Sequence, residues 1–345
     1  MINNEEYRKS LSEYANYKID WTKFNNKRIM ITGATGLIGR YLVDLIMYKN
    51  SCDNLNCHIV AISRDAEKAK RILGEYFDSP YFLHLQTDVS EAIKYDGKVD
   101  YIIHAASNTH PVLYATNPVG TIKTNVLGTY NLLNFAKENK CHKFLLVSSF
   151  EVYGRVDLDK AISENDFGVV DTTILRSCYP ESKRLSESLC VAYTNQEKVD
   201  TSIVRLSRVF GPTMDMNSSL ATAQFIKCGL DNTDIVLKSN GEQLYSYNYV
   251  ADAVMAILMV LINGAPGEAY NVADSKFDLK LKEFAAFVAE YVNRKVIFDI
   301  PKEDEKKGFS NLTMTILDSN KIKDIGWYAP SNIKKRIKET IDILR

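Results

Sequence analysis

The chain has 345 residues, 46% of them hydrophobic and 25% charged, proportions ordinary for a globular protein with a full core. Lys plus Arg and Asp plus Glu both number 43, and the resulting zero net charge argues against broad electrostatic binding to nucleic acid or an anionic membrane, while leaving room for a local phosphate pocket. The six cysteines form no C-x-x-C pair and read as reduced thiols of a cytoplasmic protein, and the longest apolar run, Ala253 to Ile262, falls short of the roughly 20 residues that span a bilayer.

Residues 1–26 read as a polar helical extension, with Tyr7, Leu11, Tyr14 and Tyr17 at helical spacing and no secretory signal pattern. The first strand is Arg28 to Thr32; it enters a glycine-rich turn and then an apolar-periodic helix through Tyr41, Leu42 and Met47. Further strands are expected at 58–62, 82–86, 101–104, 143–147 and 201–206, with helices between most of them, including 119–139 and 179–198. This alternation predicts an α/β fold with a doubly wound parallel sheet. The pattern changes after Phe210-Gly211-Pro212. A dinucleotide-binding domain is expected over 27–211 plus the helix 248–263, with a smaller, discontinuous substrate lobe from 212–247 and 264–345. The run Lys334-Lys335-Arg336 reads as the solvated face of a terminal helix. His104 and His110 are the nearest histidine pair, and the spacing of the five histidines predicts no metal site.

The glycine turn, Thr32-Gly33-Ala34-Thr35-Gly36-Leu37-Ile38-Gly39, sits between a strand and a helix, the context that gives such a sequence meaning. Glycines let backbone N–H groups approach a pyrophosphate, and the helix N-terminus adds a favourable dipole. Rossmann-type dinucleotide binding follows, with Gly33, Gly36 and Gly39 along the pyrophosphate and Asp88-Val89 beside the adenine. The second strand ends Ser63-Arg64-Asp65, which mixes an acid suited to NAD with a base suited to the 2′-phosphate of NADP. NAD is the expected cofactor, and Arg64 keeps NADP open.

Tyr179 and Lys183 stand four residues apart, on one face of a helix. A tyrosine with reference pKa about 10 is a poor base at neutral pH, but a nearby ammonium and a cationic nicotinamide favour its ionised form. It is then placed to take a hydroxyl proton as hydride leaves the same carbon. The spacing recurs at Tyr14/Lys18 and Tyr291/Lys295; only Tyr179 follows closely on a strand ending in polar residues, Val147-Ser148-Ser149, at the sheet edge where ligands bind. Ser148 or Ser149 is placed to hydrogen-bond the reacting oxygen.

Taken together, these motifs resemble the extended short-chain dehydrogenase/reductase family over residues 27–330. The resemblance also rests on His104-Ala105-Ala106, Asn125 with Gly128-Thr129, Val152-Tyr153-Gly154, Phe210-Gly211-Pro212, Tyr249-Val250-Ala251-Asp252, and Asp318 with Gly326-Trp327. Within the family the chain looks most like UDP-glucuronate decarboxylases and 4,6-dehydratases, through Ser107, Tyr114, Asn117-Pro118, Lys123-Thr124-Asn125 and Arg176-Ser177-Cys178-Tyr179. The resemblance implies cofactor contacts from Thr35, Leu37, Ile38, Ser63, Arg64, Ala105, Ala106, Ser107, Asn125, Val147, Tyr179 and Lys183. It implies that Ser149, Tyr179 and Lys183 oxidise sugar C4 and that Glu151 acts on the proton beside the transient ketone. It also implies a homodimer in which the helices 119–139 and 179–198 of each subunit meet.

Two departures bear on substrate. Phe150 stands where 4,6-dehydratases carry an acid, and Tyr245 where relatives carry an arginine that grips the diphosphate. The substrate is therefore expected to be held by Ser107, Tyr245 and a cation drawn from Arg208, Lys227 and Lys238. Three classes stay open: a sugar-nucleotide epimerase, dehydratase or decarboxylase; an NADPH-dependent reductase of a keto-sugar nucleotide; and a non-catalytic dinucleotide-binding protein.

Overall fold

The computed structural model describes residues 1–109, 111–156, 160–300 and 314–345; His110 of the histidine pair and residues 301–313 of the expected substrate lobe lie outside the described residues. The strands in chain order are β1 (Arg28–Thr32), β2 (His58–Ser63), β3 (Phe82–Gln86), β4 (Tyr101–His104), β5 (Lys143–Ser149), β6 (Thr201–Leu206), β7 (Arg208–Phe210), β8 (Ile235–Leu237), β9 (Leu244–Tyr249), β10 (Glu268–Val272), β11 (Asp278–Lys280), β12 (Val296–Phe298) and β13 (Met314–Thr315). Seven of them form one sheet in the order β10-β6-β5-β4-β1-β2-β3, parallel throughout. Helices cover both faces, which is why β5 is buried along its whole length and reads as an apolar run rather than an alternation.

The strand order reverses about β1, which pairs with β2 on one side and β4 on the other, Thr32 lying opposite both Ile62 and His104. A crevice opens at the carboxyl ends of such strands. Smaller sheets sit above it: β9 between β11 and β13, with β7 also paired to β9, and β8 with β12.

Three expectations move. Residues 268–272, read as part of the second lobe, add the outermost strand of the central sheet, because Glu268 to Val272 pair in parallel register with Ser202 to Leu206. Arg208–Phe210, read as part of the dinucleotide domain, leaves that sheet and pairs with Tyr247–Tyr249. Arg336, read as solvated, is fully buried; it donates to Glu13 Oε1 at 2.7 Å and to Glu339 Oε2 at 2.5 Å, and its guanidinium lies 5.0 Å from the ring centres of Tyr14 and Tyr249.

The N-terminal helix, Glu5–Ala15, is integral to the core. Asn4 caps it by accepting from the Tyr7 amide, and Tyr7, Leu11 and Tyr14 are completely buried. Tyr7 donates to Asp44 at 2.7 Å and Tyr14 to Asp252 at 2.6 Å, which ties the segment to the helices Leu37–Asp53 and Val250–Asn263. The latter helix is buried almost all round, which accounts for the apolar run at 253–262.

Candidate active site

The crevice holds a cavity of about 650 Å³. Its first wall is the glycine turn. Gly33 has φ +68°, and a Cβ there would stand 2.8 Å from the Ala105 carbonyl oxygen; at Gly39 a Cβ would stand 2.2 Å from the Gly33 oxygen. Glycine is therefore required for the turn to fold against β4. The helix that follows has Gly36 as its N-cap, with no side chain closing its first turn, so its amides are left to an anion. This cradle fits a dinucleotide pyrophosphate.

Beneath the turn, Thr32 Oγ1 accepts from the Ala106 amide at 3.1 Å and hydrogen-bonds His104 Nδ1 at 2.8 Å. Burial, reinforced by Lys183, depresses His104 to about 3, so the ring is neutral and serves as a structural brace. At the end of the cavity beside β2, Ser63, Arg64, Asp88 and Val89 line the wall together with Lys68, which lies outside the motifs read from the sequence. Arg64 faces Asp88 at 3.8 Å.

The second wall is built from the end of β5 and the start of the helix Cys178–Ala192. Ser149 closes β5, and its Oγ accepts from the Glu151 amide at 3.2 Å, setting the tight turn that turns Phe150 and Glu151 into the cavity. Arg184 fixes the far side of this turn through the Val152 carbonyl at 2.6 Å. Tyr179 is buried and stacks on Tyr114, ring centres 4.7 Å apart and 19° from parallel. Lys183, one helical turn on, donates to the Val147 carbonyl at 2.9 Å.

Burial and then the Glu151 carboxylate raise the Tyr179 hydroxyl well above its ordinary value, against hydrogen bonding from Ser149 and the charge of Arg176. Burial lowers Lys183 to about 8 despite the opposing Glu187 charge. Without cofactor, burial thus favours the protonated form of Tyr179.

Glu151 accepts from Arg176 at 3.0 Å, a contact that no sequence motif announces. Behind the wall, Ser148 donates to Glu187 at 2.5 Å and Glu187 pairs with Arg205 at 2.7 Å, so Ser148 is engaged away from the cavity centre. Of the two candidate serines, Ser149 is the one that interacts with the Tyr179 hydroxyl.

Gly33, Thr35, Gly36, Leu37, Ile38, Gly39, Ala105, Ala106, Ser107, Val147, Arg208 and Tyr245 also line the cavity. Asn125 does not. It accepts from Ser107 at 2.7 Å and donates to Ser182 at 2.8 Å, which makes it a brace between the two walls instead of a contact surface. Lys227 is exposed on the helix Ala221–Leu230, whose first turn alone reaches the cavity. Lys238 pairs with Asp299 on the outer surface. Of the three expected cations only Arg208 is in place.

The profile of the NAD dependent epimerase/dehydratase family matches residues 29–273, a span that contains the glycine turn, Ser149, Glu151, Tyr179 and Lys183. The chain belongs to this family. Among relatives, UDP-glucuronic acid decarboxylase 1 of Xenopus tropicalis is 32% identical over 268 residues, 78% of this chain and 61% of that protein. UDP-glucuronic acid decarboxylase 5 of Arabidopsis thaliana is 33% identical over 269 residues, 78% of this chain and 76% of that one. The epimerase/dehydratase fold is shared with the UDP-glucose 4-epimerase of Thermotoga maritima, with a TM-score of 0.76 at 19% identity over 92% of this chain and 98% of that one. It is shared equally with the dTDP-glucose 4,6-dehydratase of Streptomyces venezuelae, with a TM-score of 0.77 at 20% identity over 92% and 96%.

Proposed function

We propose that the protein is an NAD-dependent enzyme that modifies a sugar nucleotide through a transient 4-keto sugar. The carrying observation is that Ser149, Glu151, Tyr179 and Lys183 line the same cavity as the glycine cradle. NAD, when bound, supplies the hydride acceptor. The amides of the glycine turn and of the Leu37–Asp53 first turn bind its pyrophosphate. Arg64, already faced by Asp88, has its charge balanced, which supports NAD over NADP.

With the positive charge of a bound nicotinamide beside it, Tyr179 would be ionised and would then accept the proton of the C4 hydroxyl as hydride leaves C4, while Ser149 donates to the oxygen as it becomes a carbonyl. Lys183 supplies a positive field behind Tyr179. The ketone acidifies the neighbouring carbon, and Glu151, kept in place by Arg176, is the carboxylate placed to act there. Phe150 has no proton to give, which takes away the acid for expelling water at that position. Decarboxylation and epimerisation remain the reactions this wall supports, and the named decarboxylase relatives favour the first.

The helices Pro118–Ile122 and Cys178–Ala192 carry exposed Val119, Ile122, Leu185 and Val191 on their outer faces. Such a patch favours a homodimer built on these helices. No helix among the described residues is long and apolar enough to cross a membrane. The six unpaired cysteines support a cytoplasmic location.

The test is incubation of the purified protein with NAD and UDP-glucuronate, UDP-glucose or UDP-N-acetylglucosamine, with products read by mass spectrometry and NMR. Loss of carbon dioxide from the first, or inversion at C4 of any, supports the proposal. No change in any sugar nucleotide of any base rejects it.

A further inference from the structure

The lobe side of the cavity carries a feature that the proposed oxidation chemistry does not use. The guanidinium of Arg208 lies 3.8 Å from the ring centre of Tyr245 and 4.9 Å from that of Phe150. Both rings are buried, at 6% and 8% exposure, so the cation is held between two fixed apolar faces. Its Nε is buried without a hydrogen-bond partner among the described residues, and no carboxylate among them pairs with it. An arginine whose donors are left open beside a cavity is a built receptor for an oxyanion, because a guanidinium presents its N–H groups in a fixed fork.

Strand register supplies a second donor. β7 pairs with β9 so that Arg208 lies opposite Tyr247, and Tyr245 is two residues earlier, on the same face of β9. Tyr247 is completely buried, lines the cavity and has a hydroxyl with no hydrogen-bond partner among the described residues. A buried hydroxyl left unsatisfied costs stability unless a ligand completes it. Across the cavity, the first turn of the helix Ala221–Leu230 has no side-chain cap, and Ala221 and Thr222 line the same space. Guanidinium, hydroxyl and helix N-terminus, from three elements, thus line one cavity.

We propose that Arg208 and Tyr247 form the substrate's oxyanion-binding site, with Phe150 and Tyr245 as positioning residues that hold the Arg208 guanidinium between them. This assigns Tyr247 a binding role and gives the aromatic residues at 150 and 245 a shared purpose: their rings together aim one cation. The ligand chemistry is a doubly or singly charged oxyanion, either the diphosphate of the sugar nucleotide or a carboxylate on its sugar. The inference rests on the reading of this cavity as a sugar-nucleotide site.

Titration calorimetry with UDP alone and with UDP-glucuronate, on protein supplied with NAD, tests it. Arg208→Gln is expected to weaken binding by about 10- to 100-fold, the range for a lost charge-assisted hydrogen bond, and the isosteric Tyr247→Phe by severalfold, both with NAD affinity kept. A loss seen with UDP identifies the diphosphate, and a loss confined to UDP-glucuronate identifies the carboxylate; both support the site. Phe150→Leu and Tyr245→Leu are expected to raise KM more than they change kcat, and Tyr245→Leu to add nothing once Arg208 is Gln. Binding of both ligands by Arg208→Gln and Tyr247→Phe as tight as by the parent overturns the inference while leaving the proposed function standing. A parent protein that binds NAD but no nucleoside diphosphate or sugar nucleotide of any base overturns the proposed function, and the inference with it.

Discussion

Arg176 donates to the Glu151 carboxylate at 3.0 Å, and the two differ sharply in exposure: the Arg176 side chain is 50% accessible and the Glu151 side chain 15%. The acid is thus presented to the cavity while its partner reaches in from solvent, an arrangement that keeps Glu151 oriented without closing it off. A carboxylate in that position can take a proton from carbon or help a neighbouring bond break, but it has no part in oxidising C4.

Glu151→Gln therefore separates the reactions. In a decarboxylase the variant should oxidise C4 and then stall, so reduced cofactor builds up and absorbs in the near ultraviolet while turnover drops about 10²–10⁴-fold. In a 4-epimerase the ketone needs only to rotate and be reduced again, and the substitution should change turnover little. Stopped-flow absorbance on the active sugar nucleotide reads the difference. Complete loss of C4 oxidation itself would contradict the role given to Glu151.

The glycines of the turn should not be equivalent. A Cβ at Gly36 meets only the Gly33 oxygen, at 3.3 Å, whereas at Gly39 it meets that oxygen at 2.2 Å. Gly36→Val should fold, with unchanged far-ultraviolet circular dichroism, and lose NAD binding because its side chain enters the pyrophosphate path. Gly39→Val should be strongly destabilised. Normal NAD affinity in Gly36→Val would refute the cradle.

The dimer proposal has a single-residue test. Leu185 is 49% exposed beside Ile122, Val126 and Cys178 in a shallow outer groove. Sedimentation at micromolar concentration should give a dimer for the parent and a monomer for Leu185→Glu, since an unpaired charge in an apolar interface is costly. A parent that sediments only as a monomer rules the dimer out.

Asp252 offers a stability test with a definite sign. Burial raises its carboxyl from 3.8 to about 7, opposed by the Tyr14 hydrogen bond and Arg336 and assisted by Glu339 and Glu13. Between those two values the folded state retains a proton that the unfolded chain releases, so this group's contribution falls as pH rises through the window and is lost above about 7. Asp252→Asn cannot ionise and keeps an acceptor for Tyr14. Its melting temperature should therefore gain on the parent as pH rises from 4 towards 8, by an amount corresponding to at most about 4 kcal/mol. A difference that does not vary with pH would show that Asp252 is charged throughout.

Much of this was legible in the chain because the signals are local. The strand-turn-helix context around Gly33 to Gly39 and the strand ending at Ser149 depend on neighbours within a few residues, and both stand as expected. The Tyr14 contact with Asp252 and the Glu13 contact with Arg336 join residues hundreds of positions apart, and no periodicity encodes them. For the same reason a lysine-arginine run at 334–336 looked solvated although Arg336 is buried. Lys227 and Lys238 are candidates by charge alone, but helix phase and an outer ion pair turn them away. The stacking of Arg208 between Phe150 and Tyr245 needs β7 to cross to β9, a pairing that three residues of strand do not announce.

The proposed mechanism requires Tyr179 to take the proton when the sugar is oxidised. Tyr179→Phe keeps the ring that stacks on Tyr114 and removes only the hydroxyl. Turnover of whichever sugar nucleotide the parent converts should fall about 10²–10⁴-fold, with NAD and UDP bound as before. Turnover equal to the parent's, in a variant that still binds both, would contradict the mechanism for every sugar considered.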